Sequence, residues 1–191
     1  MTVLQEIRAH IIPGQVYRRS DIKKWSNSVD RHLSQLQEEK ALIKLSGGMY
    51  YCPKKSPFGP VPPSDNELVK SFLKDDRFLL MTPNAYNNLG VGTTQLYNET
   101  LVYNHKRHGV FQLGKRDFRF VLKHHFPADL CEEFLLVDLI NHIDQLAEDR
   151  ERVLSLVQTK AQSTNQEHLK NALLNYGGVR AKKMLKSIAE I

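Results

Sequence analysis

The sequence predicts an α+β protein: an N-terminal winged helix-turn-helix followed by a mixed domain with a small antiparallel sheet and C-terminal helices. Three observations predict it. The first 55 residues hold three short helical patterns and then a glycine-centred hairpin. Residues 97–125 are rich in Val, Tyr and Phe and alternate apolar with polar positions, and the last third carries apolar stripes at helical spacing.

The first segment, "TVLQEIRAHII", places Val3, Leu4, Ile7 and Ile11 on one helical face, and Pro13 with Gly14 stops it. In "YRRSDIKKW" a second short helix starts, with Ser20 as N-cap and Asp21 in the first turn, where negative charge suits the helix dipole. After a break at "SNS", Val29, Leu33 and Leu36 recur at i, i+4 and i+7, a third and amphipathic helix with Arg31, His32, Ser34 and Gln35 off its apolar stripe. Two β-prone arms then flank Ser46-Gly47-Gly48 in "ALIKLSGGMYYC", and glycine supplies the positive φ that a tight hairpin turn demands. Three helices followed by a two-stranded wing is the winged helix-turn-helix layout, in which the third helix enters a DNA major groove and the wing lies along the flanking backbone.

Residues 1–55 are therefore expected to be a DNA-binding domain. Four prolines and a glycine in "SPFGPVPPS" make 56–64 a proline-rich junction, and 65–191 an α+β partner-binding domain. Within it, "ELVKSFLKDDRFLL" reads as helix, and Gly90 and Gly92 mark turns. Phe118, Phe120 and Leu122 share one face of a strand in a small sheet whose turns fall at "NHKRHG" and "LGKRD". Leu136, Leu139, Ile140, Ile143, Leu146, Ala147, Leu154 and Val157 form one broad helical stripe. A further helix through Leu169, Ala172, Leu173 and Tyr176 breaks at Gly177 and Gly178 and resumes through Met184, Leu185 and Ile188. Such helices either cover the sheet or dock onto a partner protein.

With 191 residues, 41% of them hydrophobic, the chain can bury a good core. No apolar run approaches the roughly 18 residues needed to cross a bilayer, and "MTVLQEIRAH" lacks the plan of a secretory signal. Cys52 and Cys131 have no CxxC or CxxH partner, which signals neither a disulfide framework nor a zinc site. These features lead to the expectation of a soluble, cytoplasmic protein with no membrane partner. Charge narrows the partner class. Residues 1–55 hold ten Lys and Arg against five Asp and Glu, a net of +5, whereas the remaining residues net only +1. A positive field concentrated in one segment is suited to a polyanion.

The phosphate-contact candidates are Arg18, Arg19, Lys23, Lys24, Lys44, Lys54 and Lys55. The base-edge candidates are Asn27, Ser28, Arg31 and Gln35, with His32 as a further one, because Arg pairs with guanine, Asn and Gln with adenine, and Ser with either. Nothing points to catalysis. His105 and His108 flank "KR" in a turn and His124 adjoins His125, neither at metal-ligand spacing. There is no GxSxG, P-loop or HExxH, and "NLGVGT" is not the phosphate fingerprint GxGxxG. Glu132 with Glu133, and Asp149 with Glu151, lie on a helix that reads as solvated. No enzyme activity, metal or cofactor is expected.

The run "VYRRSDI…VDRHLSQLQEEKALIKLSGGMYYCPK", with "SPFGPVPPS", "NAYNNLGVGTTQ" and "LLVDLINHIDQLAEDRE", resembles the AbiEi-like antitoxins of bacterial type IV toxin–antitoxin systems over most of the chain. The resemblance implies a winged-helix region that represses its own operon at inverted repeats, which leaves room for a homodimer on DNA. It implies a C-terminal antitoxin region that counteracts a cognate nucleotidyltransferase-like toxin, and no catalytic activity. One departure is that the C-terminal region is shorter and more helical than in the best-known members. The alternative is a winged-helix transcription factor with a C-terminal dimerisation or ligand-sensing domain and no toxin partner.

Overall fold

The structure, a computed structural model, describes residues 2–189, so the ends of the expected segments at Met1, Glu190 and Ile191 lie outside the described residues. The chain is a mixed α+β protein with small antiparallel sheets and C-terminal helices, and it divides into two compact units. One comprises residues up to Asp76 together with Val110–Phe118; the other comprises Arg77–Gly109 and the chain from Arg119 onwards.

The first unit begins α1 (Val3–His10), β1 (Val16–Arg18), α2 (Arg19–Ile22), a 3-10 turn at Lys23–Trp25, α3 (Val29–Glu38), β2 (Ile43–Ser46) and β3 (Met49–Tyr51). Thr2 and Gln5 form a capping box that starts α1. All three expected helices and the hairpin are present, and Gly48 adopts the positive φ (72°) of the turn while its carbonyl accepts the Arg19 N–H at 2.9 Å. One strand is an addition. β1 pairs antiparallel with β3, from Val16 opposite Tyr51 to Arg18 opposite Met49, which gives the strand order β1-β3-β2. The second helix consequently starts earlier than Ser20: Arg18 takes the N-cap position, and its N–H donates to Asp21 Oδ2 at 2.9 Å. A three-residue strand is too short for its alternation to be legible beside the capping signal of Ser20.

Ile7, Tyr17, Ile22, Leu42 and Cys52 pack with Val29, Leu33 and Leu36 of α3 into one core. Burying each large apolar side chain contributes about 1.5–3 kcal/mol, enough to hold a ten-residue helix that would be marginal alone. The proline-rich stretch is structured as well. β4 (Lys54–Ser56) and β5 (Gly59–Val61) pair antiparallel as a two-stranded ribbon, where every strand is an edge and proline is tolerated. The Tyr51 hydroxyl donates to the Val61 carbonyl at 2.7 Å. Ser64 then caps α4 (Asp65–Leu73), and this helix is still part of the first unit. Proline content marks 56–64 as the junction, yet the compact units part after Asp76, because the ribbon and α4 hydrogen-bond and pack among residues 1–55.

The second unit contains β6 (Phe78–Met81), a 3-10 segment at Pro83–Leu89, β7 (Thr100–Asn104), α5 (Glu132–His142), a 3-10 turn at Ile143–Gln145, α6 (Arg150–Ser163), α7 (Gln166–Tyr176) and α8 (Val179–Leu185). Between β7 and α5 run β8 (Gly109–Leu113) and β9 (Arg116–Leu122), with strand order β6-β7-β9-β8; Val110–Phe118 of this hairpin count with the first unit. Phe78–Met81, expected to continue a helix, is a strand, since Lys74 turns left-handed (φ 52°) and ends α4. Phe134 to Ile140 are buried without exception, so α5 is the central helix of its unit rather than one side of a long amphipathic one, and α6 begins afresh with Asp149 as its cap.

α7 ends at Gly177, as expected from the Gly-Gly pair, and the need for glycine at that position is steric. A Cβ there would lie 2.4 Å from the Leu173 carbonyl oxygen, whereas at Gly47 it would meet nothing within 4 Å. Gly177→Ala is expected to destabilise the intact chain by roughly 1–3 kcal/mol in urea unfolding, with Gly47→Ala within about 0.5 kcal/mol of the parent.

Candidate functional site

Ser26 sets the start of α3. Buried at 5% exposure, its Oγ accepts the Ser28 N–H at 3.1 Å and lies 2.7 Å from His32 Nδ1. The half-buried His32 ring is thereby tied to the turn before its own helix, a structural duty that the sequence pattern did not reveal. On the outer side, Arg19 grips Asp30 with Nε 2.8 Å from Oδ1 and Nη2 2.7 Å from Oδ2. The guanidinium hydrogen bond and charge hold the Asp30 carboxyl below its ordinary range. Both side chains are exposed, so the pair adds little stability; its effect is to fix α2 against the first turn of α3.

A recess of about 360 Å³ opens beside this pair and is lined by Arg19, Lys23, Asn27, Ser28 and Arg31. Five residues chosen from sequence are thus brought together at the N-terminal end of α3, with Asp30 sharing the lining. Asn27, Ser28 and Arg31 are exposed and Gln35 is half-buried, one turn further along the helix. Lys24 is 70% exposed, with Nζ 3.8 Å from Asp21 Oδ1. Such an array can donate hydrogen bonds to the oxygens and ring nitrogens of a nucleic acid.

The remaining candidates divide. Arg18, expected to contact phosphate, is half-buried, and its guanidinium donates to the carbonyls of Ser71 and Phe72. It caps the last turn of α4, where unpaired carbonyls carry the negative end of the helix dipole, and so it is committed inside the unit. Lys44 is exposed on β2. Lys54 and Lys55 are exposed too, but on β4, so they belong to the second ribbon rather than to the end of the β2/β3 hairpin.

The second unit holds a group that sequence reasoning missed. Asp138, 1% exposed in the middle of α5, accepts the Tyr86 hydroxyl at 2.9 Å and the Tyr103 hydroxyl at 2.8 Å on Oδ2, and the Lys123 ammonium at 2.7 Å on Oδ1. His142 Nδ1 lies 2.8 Å from the Asp138 carbonyl and 3.3 Å from Oδ1. Lys123 Nζ also sits 3.8 Å above the centre of the Tyr103 ring. Burial alone would raise the Asp138 carboxyl; hydrogen bonding and charge from His142 and Lys123 outweigh it and hold the group at about 2. Burial first, then the Asp138 charge, pushes both phenols up. The available signal was the one acid inside the apolar run "FLLVDLI".

Tyr86, Tyr103 and His142 also line a cleft of about 280 Å³, together with Tyr97, His108 and Arg119. Arg119 pairs with Glu99 there. Among the described residues, no group of three His, Cys, Asp or Glu side chains is arranged to hold a metal ion.

Because the folded Asp138 titrates below its ordinary 3.8, its ionised form stabilises the fold. That contribution is complete above pH 3.8 and is lost as pH falls toward 2, on the order of 2 kcal/mol. Asp138→Asn is expected to flatten this acid limb while lowering stability at neutral pH, because Lys123 then loses its counter-charge in a site only 21% exposed. Urea unfolding of both proteins across that pH range measures the difference.

Comparison with known proteins places the chain. No curated protein matches it. Among solved structures, that of the RV2827C protein from Mycobacterium tuberculosis is similar, with a TM-score of 0.57 over 98% of this chain and 75% of that one at 14% identity, a likeness of fold alone. Residues 21–168, well over half of the sequence, match the family described as a family of unknown function, DUF6088, and the chain belongs to that family.

Proposed function

We propose that the first unit is a winged helix-turn-helix that binds double-stranded DNA, and that the chain is an antitoxin-type repressor of its own operon. The observation that carries the reading is the order α1-β1-α2-α3-β2-β3, with the apolar side of α3 buried and its polar side turned outward beside the Arg19–Asp30 recess. α3 is the recognition helix, with Arg31 and Gln35 reading base edges and Asn27 and Ser28 at its start. Lys23, Lys24 and Lys44 contact phosphates, Lys44 from the wing. Arg18 has no part in the contact. Inverted repeats would be bound by two copies, as a homodimer on DNA.

Counteraction of a nucleotidyltransferase-like toxin rests on the resemblance to AbiEi-like antitoxins and is assigned to the second unit. The sequence beyond residue 55, with a net charge of +1, has less to attract DNA. No catalytic role is proposed for the chain. A second reading, a winged-helix regulator that senses a ligand, is favoured by the cleft above the Asp138 group. The toxin separates the two: co-expression of the intact chain with the product of the neighbouring gene is expected to restore growth.

DNA binding is tested by salt. Each phosphate neutralised contributes about −0.9 to the slope of log affinity against log salt, so Lys23, Lys24 and Lys44 with the other cations are expected to give a steep fall. Arg31→Ala and Gln35→Ala are each expected to reduce discrimination at particular base pairs by about 1–3 kcal/mol, while Lys44→Ala weakens binding to all sequences alike. Equal losses on specific and random duplexes in the α3 variants would contradict the assignment of the recognition helix.

A further inference from the structure

Among the described residues Phe58 is the most exposed large apolar side chain, at 101% relative exposure, and it sits at the tip of the β4/β5 ribbon. The tip is built to hold it there. Ser56 Oγ donates to the Gly59 carbonyl at 2.7 Å and accepts the Phe58 N–H at 3.2 Å, closing the turn from both sides. Gly59 has φ +107°, a conformation that L side chains rarely adopt, and Pro57 restricts the residue before the tip. Isolated two-stranded ribbons are marginal, and a protruding phenyl ring adds nothing to this one's stability.

The surroundings point to the partner's charge. From Cys52 to Ser64 the chain has no acidic residue, while Lys54 and Lys55 stand exposed on the first arm. Only Cys52 and Pro53 separate β3 from β4, and Tyr51 of β3 is hydrogen-bonded to Val61 of β5. Lys44 and Leu45 of β2 line one cleft of about 320 Å³ with Pro60 and Val61 of β5. The ribbon is therefore fixed directly beside the β2/β3 hairpin, with its cations on the same stretch of chain as its exposed ring.

We propose that the β4/β5 ribbon is a second DNA contact: Lys54 and Lys55 hold the phosphate backbone, and Phe58 wedges against a base step of the duplex gripped by α3. Apolar wedges of this kind partly unstack a step and bend the duplex toward more protein surface. The inference rests on the DNA-binding reading of α3 and adds to it a contact that carries shape rather than base-edge information.

The test uses the intact chain and a duplex from the DNA upstream of its own reading frame, with 2-aminopurine placed at successive positions to report unstacking. The parent protein is expected to raise the fluorescence at one step beside the α3 footprint. Phe58→Ala should abolish that rise and weaken binding roughly 5- to 100-fold, with an unchanged salt slope and an unchanged melting temperature. Phe58→Trp should restore both. The Lys54→Ala, Lys55→Ala double variant should lower the salt slope by about 2.

If Phe58→Ala binds and brightens the probe like the parent while Arg31→Ala binds poorly, the ribbon contact is overturned and the α3 reading survives. If the parent protein shows no salt-dependent binding to any duplex, the α3 reading falls and takes the ribbon contact with it. If Phe58→Ala leaves DNA binding intact but changes the sedimentation of the chain or its protection against the neighbouring gene product, the tip is a protein contact and the proposal is overturned.

Discussion

Rotation of α3 about its own axis is set by three side chains. Val29, Leu33 and Leu36 lie on one stripe, all below 7% exposure, and any other rotation would bring Asp30, Arg31 or Ser34 into the core without partners. Since rotation would expose the stripe, at about 1.5–3 kcal/mol per side chain, and also bury an unpaired charge, at about 3–5 kcal/mol, the polar side has one available direction. Ser26 then pins the first turn through Ser28 and His32, and Arg19 pins it through Asp30. The recess lined by Lys23, Asn27 and Arg31 exists because these restraints act on the same turn. The proposed recognition surface is thus a consequence of core packing.

The same dependence extends through the rest of the unit. Arg18 ends β1 and caps α4, so the strand that completes the three-stranded sheet also anchors a helix 53 residues further along the chain. Arg116, from the returning segment, pairs with Asp65 at the start of that helix and donates to the Pro63 carbonyl. The Gly114 N–H donates to the Leu45 carbonyl of β2. Residues 56–76 and 110–118 are structural parts of the first unit.

Local signals made the helices of the first unit legible. The i, i+4, i+7 spacing of Val29, Leu33 and Leu36 has one physical solution, and Gly48 marks a turn that few other residues can make. What escaped depended on partners distant in sequence. β1 is three residues long and exists because β3 lies alongside it, and the proline-rich ribbon exists because Tyr51 and the chain around it give Val61 a place to bind. Charge alone placed Arg18 with the solvent-facing cations, although its partners are carbonyls that no sequence pattern displays. Asp138 is the extreme case. Tyr86, Tyr103 and Lys123 come from three separate places in the chain, and only the fold brings them around the carboxylate that His142 flanks one turn further along α5.

Protection mapping of the intact chain on the DNA upstream of its own reading frame, combined with methylation interference at guanine N7, tests the central claim most directly. The account predicts paired protected tracts with inverted symmetry, their centres separated by about 10–10.5 base pairs or a multiple, with methylation in the major groove of each tract blocking binding. A uniform coating without defined tracts, or interference confined to the minor groove, would contradict a recognition role for α3.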